Sequence, residues 1–448
     1  MTSNARRTHP DATEAHPTEQ HTPALGQSAP GAQGGQAQNT AAHTPPNAAH
    51  LAPTPARAAR IAAARRLAPD DAVDRALAGM SRTDTVIDSV VTDFANLGRG
   101  AGWQLLAEAL RTRNPAPPGA PDSLRELLTP LLSPPPWFDP VLAAHGARVW
   151  WRFAPAVIIG LGGSLLTAYN FGDLNKPQAL NSRSEKMAAR RYEETARWVL
   201  SATAPGAVTP GGPGFDATIR IRFVHAMVRR HLRTSGRWRA DLWAEPIHTT
   251  GMALTIDGFL LLPLAMYDLF GMPLTEPESE SVRHLWHWIG HLMGVPDPLL
   301  PHTFTDAENL SRAALTLFAP PDADTELLTR ALLRGGLRAE RVLPQPLWRY
   351  TAPILRPAVS TLIWGGTGRI VNAYNNPDTP PPRNHPAVLA LRQAARIREP
   401  LRRRGLLGTD QDIAVRQRGI LSGALDAMRA STEPVTPEHA VTPARTHT

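Results

Sequence analysis

Between about residue 70 and residue 430 the apolar side chains recur at three- and four-residue intervals, and the alternate-residue pattern of a half-buried strand is nearly absent. That periodicity restricts the chain to stacked helices. Proline at segment starts and glycine just past segment ends, as at Gly236, Gly271 and Gly294, mark where helices begin and stop. Helices are predicted over 72–80, 82–95, 103–111, 123–132, 139–154, 155–169, 185–201, 215–235, 250–269, 275–293, 305–319, 325–333, 347–364, 387–397 and 409–430. The expected fold is all-α, one helical domain over 68–430, long enough for a sizeable core. Residues 1–67 and 431–448 are rich in Ala, Pro, Thr and His and poor in large apolar residues, the composition of disordered tails. A proline-rich interruption covers 376–385.

The chain has no cysteine, which excludes disulfides, iron–sulfur clusters, thiolate ligation of iron and cysteine–zinc sites. Histidine and carboxylates remain for any metal. A net charge of +8 raises nucleic acid as a partner, but the distribution argues against it. Lysine occurs only at Lys176 and Lys186, arginines are interspersed with carboxylates, and the dense runs at 229–233 and 402–404 lack interleaved aromatics. Nucleic-acid binding is therefore not expected. Arg6-Arg7 is followed by polar, proline-bearing sequence instead of an apolar export segment, so a cytoplasmic location is expected.

Residues 153–169 and 254–270 are apolar for about the length of a short membrane span. Pro155 and three glycines interrupt the first, and Asp257, Pro263 and Asp268 the second, which suits buried helices better. A peripheral membrane contact stays open for a protein that takes a lipid. The run Gly160-Leu-Gly162-Gly163-Ser164 lacks the Gly-Lys-Ser/Thr ending of a phosphate loop and does not follow a strand. Its glycines instead let a helix approach a neighbour closely, with Leu165, Leu166 and Thr167 available to line an apolar pocket.

One histidine stands out. In the segment around Arg220-Ile-Arg222-Phe-Val-His225-Ala-Met-Val-Arg229, helical spacing puts Ile221, His225, Val228 and Leu232 on one face and Ile219, Phe223 and Met227 on another. A buried imidazole needs a partner: a backbone carbonyl is one, iron another. Arg222, about one turn before His225, is a candidate for pairing with a carboxylated cofactor or for supporting the ligand.

The same residues resemble the arginine-apolar-apolar-His-Ala-x-x-Arg signature of the latex-clearing rubber oxygenases and the fungal MpaB oxygenase. Other segments resemble that family in the same order. They are Pro136-Trp-Phe-Asp-Pro140 with Gly146-Ala-Arg-Val149; Ala189-Arg-Arg191-Tyr-Glu-Glu194-Thr195-Ala-Arg-Trp198; Glu245-Pro246-Ile247 leading to Met252-Ala-Leu-Thr255; and Trp288-Ile-Gly-His-Leu-Met-Gly294-Val-Pro296. Together they cover about 136–301.

The resemblance implies a globin-like core around a b-type haem with His225 as the iron ligand. It further implies Arg191, Glu194, Thr195 and Thr255 near the reacting centre, and O2 with a hydrophobic, isoprenoid or lipid-like substrate attacked at a C=C bond. Glu194 stands where the rubber oxygenases carry a lysine, which puts rubber itself in doubt and offers a carboxylate base for an allylic proton. Glu194 paired with a neighbouring arginine, and Thr255 bonded back to the carbonyl of residue 251, are the structural alternatives.

Two other classes compete: a haem sensor, carrier or peroxidase using the same histidine, and a helical interaction protein without haem. His284, His287 and His291 share a predicted helix face that could ligate a metal or form a polar stripe. Glu-x-x-His pairs suited to a diiron site are not found at convincing positions. His248 has no counterpart in the family pattern.

Overall fold

The computed structural model describes residues 54–98, 100–181, 185–325, 327–328, 383–384 and 386–427. The chain divides into Met1–Thr44 and Pro45–Thr448, and every described residue belongs to the second unit. Residues 1–53, the tail at 431–448, the helix expected over 347–364, and most of 325–333 and 376–385 lie outside the described residues.

The described residues are helical with no β-strand among them. In order the helices are α1 (Pro55–Leu67), α2 (Asp70–Met80), α3 (Thr85–Asn96), α4 (Ala101–Thr112), α5 (Asp122–Leu132), α6 (Pro140–Trp150), α7 (Ala154–Tyr169), α8 (Gly172–Asn181), α9 (Glu185–Ala202), α10 (Pro213–Thr234), α11 (Ala240–Trp243), α12 (Thr249–Leu269), α13 (Glu276–Leu292), α14 (Phe304–Leu317), α15 (Pro386–Arg403) and α16 (Asp410–Ala427). Helices α7 and α12 pack along each other at the centre, α6 lies on α13, and α14 contacts α1, α2 and α12.

The starts obey local chemistry. Asp139 accepts from the N–H groups of Val141 and Leu142 to cap α6, and Thr275 with Glu278 forms a capping box on α13. Proline occupies the first turn of α6, α7, α10 and α13, where its missing N–H has no helical partner to lose.

Between α6 and α7 the chain bends by 95°. The Tyr267 hydroxyl fastens the bend: it accepts from Phe153 N at 2.8 Å and donates to Trp150 O at 2.9 Å. Trp151 Nε1 donates to Thr203 Oγ1 at 2.8 Å, tying the same corner to the end of α9.

Helix α12 is long and apolar enough to cross a membrane, yet 67% of its most apolar window is buried inside the protein. That surface is spent on packing. A Cβ added at Gly160 would stand 2.5 Å from Pro263 N and 2.6 Å from Pro263 Cα, so α7 and α12 touch backbone to backbone there. Gly160→Ala is expected to force the helices apart, costing about 1–3 kcal/mol and several degrees of melting temperature. Gly162, with nothing within 4 Å of its added Cβ, is the control. Equal melting of the two alanine variants would contradict the close-contact account.

Two expectations need correction. The tail expected over 1–67 contains α1, whose Ala64 is fully buried and whose Arg60 donates to Leu317 O on α14 at 2.8 Å. Its Ala/Arg composition lacks an apolar stripe because small alanines seat it closely. Helix α8 was not expected either. Pro177 and a polar sequence hide it, and tertiary bonds hold it: Asp173 Oδ2 accepts from Ala319 N at 2.5 Å, and Asn175 Nδ2 donates to Tyr169 O at 3.0 Å.

Candidate functional site

Five helices enclose a cavity of about 240 Å³. A single buried water needs roughly 10–15 Å³ on the same kind of measure, so this space is sized for a large organic group. Each helix contributes one face at helical spacing. From α9 come Arg191, Glu194, Thr195 and Trp198; from α10, Ile221, Val224, His225 and Val228. The start of α12 adds Gly251, Met252, Thr255, Ile256 and Phe259, and α7 and α8 close the remaining sides through Leu165, Tyr169, Asp173 and Gln178.

The stripe Arg191, Glu194, Thr195, His225 and Thr255 singled out in the sequence is thus brought to one chamber. Leu165 lines it too. Thr167 lines a side space of about 40 Å³ that shares Leu165, Thr255 and Phe259 with the main cavity, whereas Leu166 sits in the core.

His225 looks from α10 into the cavity, while Arg222 and Arg229, one turn to either side of it, reach α3. The His225 Nδ1 atom is buried and makes no hydrogen bond. Burial, reinforced by the charges of Arg229 and Arg191, pushes the imidazole from 6.5 down to about 4. It is therefore neutral at pH 7, with a nitrogen lone pair available to a metal.

The pH consequence has a definite sign. An unfolded chain takes up the proton first, so this group's contribution to stability is complete above pH 6.5 and is lost as pH falls toward 4. Burial lowers His287 to about 4 as well, giving the same window. Without added ligand, His225→Ala should lose less stability than the wild type between pH 6.5 and 4, by up to about 3 kcal/mol. Parallel curves from chemical denaturation at each pH would contradict it.

Arg222 does not line the cavity. Its Nε and Nη2 donate to Asp84 at 2.5 and 3.0 Å, and Nη1 donates to Leu292 O at 3.3 Å. The role expected for it toward a cofactor is not carried by this geometry, because the whole guanidinium is spent on α3 and the end of α13. Thr255 lines the cavity and also donates to Gly251 O at 2.9 Å. Its back-bond and its wall position coexist. Arg197 pairs with Glu193 at 2.7 Å and Asp426 at 3.0 Å, and Glu194 lines the cavity wall.

The structure adds a polar corner that the sequence did not reveal. His248 and Asp173 have side-chain exposures of 1% and 0%, and both line the cavity. His248 Nδ1 accepts from Gly251 N at 3.0 Å, capping α12, so Nε2 carries the hydrogen. That Nε2 lies 3.8 Å from Asp173 Oδ1, beyond hydrogen-bond length, and both atoms lack a partner. Nearby, burial pushes the Tyr169 phenol up to about 12, so it remains a donor. The only hint in sequence was His248 itself, at a helix start where Ser, Thr or Asp is commoner.

The histidines of α13 lie elsewhere. His284 Nε2 accepts from Asp139 N at 3.0 Å, His287 Nδ1 is 3.2 Å from Pro301 O, and the His291 ring stacks on Trp288. Trp137 stands edge-on over all three. They do not converge on one point. His287 instead approaches Asp297 and His302, with one ligand atom from each within 4.8 Å of the others.

The fold is thus an all-helical body around a mostly apolar chamber with the neutral His225 imidazole in its wall. The chain belongs to the family described as ER-bound oxygenase mpaB/B'/Rubber oxygenase, catalytic domain, which residues 147–397 match over more than half of the sequence. The rubber oxygenase of Streptomyces sp. (strain K30) is 24% identical over 247 residues, 54% of this chain and 60% of that protein. The match therefore spans less than two thirds of that relative's length. Among solved structures, latex clearing protein LCP in the closed state superposes with a TM-score of 0.52 at 21% identity, over 75% of this chain and 88% of the other. That similarity shows a shared fold.

Proposed function

We propose that this chain is a haem-dependent oxygenase that uses O2 to attack a C=C bond of an isoprenoid or other lipid-like molecule. The observation that carries the reading is His225: a neutral imidazole with no hydrogen bond to the protein, in the wall of a mostly apolar cavity far larger than a water site. A b-type haem suits this donor set. The chain has no cysteine to offer a thiolate, and a buried imidazole left without a protein partner gains one by binding iron. When bound, the haem supplies a redox-active iron able to activate dioxygen.

The protein's own residues supply the rest. His225 holds the group. Leu165, Ile221, Val224, Val228 and Phe259 desolvate a hydrocarbon chain and exclude water from the reacting bond. The Thr195 and Thr255 hydroxyls provide polar contacts of the wall, Arg191 a fixed positive charge, and the Glu194 carboxylate accepts an allylic proton from the substrate and returns it before the products leave. Adding both atoms of O2 across a C=C bond and cleaving it yields two carbonyl groups with no external reductant.

Oxygen uptake by the haem-loaded protein tests this. An unsaturated isoprenoid should drive uptake with carbonyl products, and its saturated analogue should not. Haem binding with no uptake on any unsaturated isoprenoid would move the chain to the sensors and carriers.

A further inference from the structure

Beside the main chamber, α7, α8, α12 and α14 enclose a second space of about 40 Å³. A single buried water needs roughly 10–15 Å³ on the same kind of measure, so the space has room for an occupant. It shares Leu165, Ala168, Thr255 and Phe259 with the chamber, so a molecule held there is separated from it by the width of one side chain. The chemistry above makes no use of it.

Its walls decide what can stay. The polar side chains in them are four hydroxyls, and each has already committed its hydrogen. Ser164 Oγ donates to Gly258 O at 2.5 Å, Thr167 Oγ1 to Gly163 O at 2.9 Å, Thr255 Oγ1 to Gly251 O at 2.9 Å, and Ser311 Oγ to Asp257 Oδ2 at 3.4 Å. A buried water takes about three hydrogen bonds, and here no donor is left for it. A charged or strongly polar ligand meets the same lack. The space therefore suits a small apolar molecule. At about 40 Å³ against 240 Å³ for the chamber, it is far too small for a haem or a whole isoprenoid chain.

We infer that this annexe is a binding site for dioxygen, which it holds at the edge of the chamber while the hydrocarbon fills the chamber itself. The choice of dioxygen among apolar gases rests on the oxygenase reading, but the binding of such a gas is separable from turnover. Two seats, one for each reactant, mean that the hydrocarbon does not displace the gas.

The first arm of the test uses xenon, an apolar probe that enters dry cavities, on the full chain with methyl groups followed by NMR. Leu254, Leu262 and Leu315 line the annexe and not the chamber, so their methyls should shift saturably with xenon pressure. Leu128 and Leu285, fully buried elsewhere, should not move. Thr167→Leu on α7 and Leu315→Phe on α14 add bulk to the annexe from residues that do not line the chamber. In each, the xenon shifts at Leu254 and Leu262 should fall about fivefold or more. The second arm is turnover, where the KM for O2 should rise about threefold or more in both variants with the KM for the isoprenoid unchanged. Melting temperature checks that each variant is folded, and the wild-type arm needs neither.

Wild-type methyls that do not shift saturably would overturn the inference. Shifts retained in both folded variants would overturn it too. A rise in the isoprenoid KM alone would give the annexe to the end of the hydrocarbon and overturn it as well. Failure of the oxygenase reading looks different: the wild type binds xenon at these methyls and consumes no oxygen.

Discussion

His225→Ala is expected to abolish substrate-dependent oxygen uptake and bound haem while leaving the helical fold in place. The asymmetry follows from the side chain's surroundings. Nδ1 has no hydrogen bond to lose, and the ring lines a cavity instead of filling a packed interior. Truncating it removes few contacts, so the cost of emptying a core position does not apply in full. Its neighbours on α10, Ala226 and Phe223, face the core and keep the helix seated. Far-ultraviolet circular dichroism should be unchanged, and the melting temperature should stay within a few degrees. A variant that retains full uptake would show that the imidazole is not the ligand. One that unfolds would assign His225 to the fold.

The opposite profile is expected for Asp88→Ala, which should be the most destabilising of these substitutions. Asp88 on α3 accepts from Arg229 Nε at 2.8 Å and Nη2 at 2.6 Å, and from Arg233 Nη1 at 3.1 Å. Arg229 is 1% exposed. Removing its carboxylate leaves a buried guanidinium without a counter-charge, a loss of about 3–5 kcal/mol and roughly 10 °C of melting temperature. Arg229 also donates to Ile247 O at 3.2 Å, and Ile247 holds a left-handed backbone (φ 52°) immediately before His248. The α3–α10 ion pair thus braces the turn that delivers α12 to the cavity, so ligand binding should weaken along with stability. Glu108→Ala, which breaks the exposed Glu108–Arg111 pair, should cost under about 1 kcal/mol. Similar melting shifts for the two variants would contradict the buried-pair account.

A third group is revealing because its charge is unwelcome. Asp257 on α12 is fully buried, and burial pushes its carboxyl well above the ordinary range despite a 3.4 Å bond from Ser311. Its folded-state affinity for a proton exceeds that of the unfolded chain, so it favours folding at low pH and opposes it as pH rises. Asp257→Asn should melt higher than the wild type at pH 7, with the gap closing toward pH 4. A constant gap would show that the amide acts by some other route.

How much of this was legible in the sequence depends on the range of the contacts. Period alone put Ile221, His225 and Val228 on one face of α10, because those relations lie within a few helical turns, whereas Arg191, Glu194 and Thr195 were singled out by the family resemblance. The partner of Arg222 was not legible. Asp84 lies 138 residues upstream, and nothing local distinguishes an arginine aimed at a cofactor from one aimed at another helix.

Helix α8 was hidden for a related reason. Its sequence favours a loop, and its helicity comes from partners elsewhere, including Asp322, which pairs with Lys176 at 2.5 Å, and the Thr325 hydroxyl, which accepts from Asn175 at 3.0 Å. With α8 unseen, Asp173 could not be placed opposite His248, and the polar corner stayed invisible. The glycine run shows the converse. Close approach was expected from composition, and Gly160 meets α12, whereas Gly162 meets nothing.

The central claim is that His225 holds a haem in this cavity. The most direct measurement is the visible absorption spectrum of purified protein produced with haem supply, beside His225→Ala, with haem quantified per chain. A Soret band at about one haem per chain in the wild type, lost or shifted in the variant, is the predicted result. A colourless, folded wild type that takes up no added haem would contradict it.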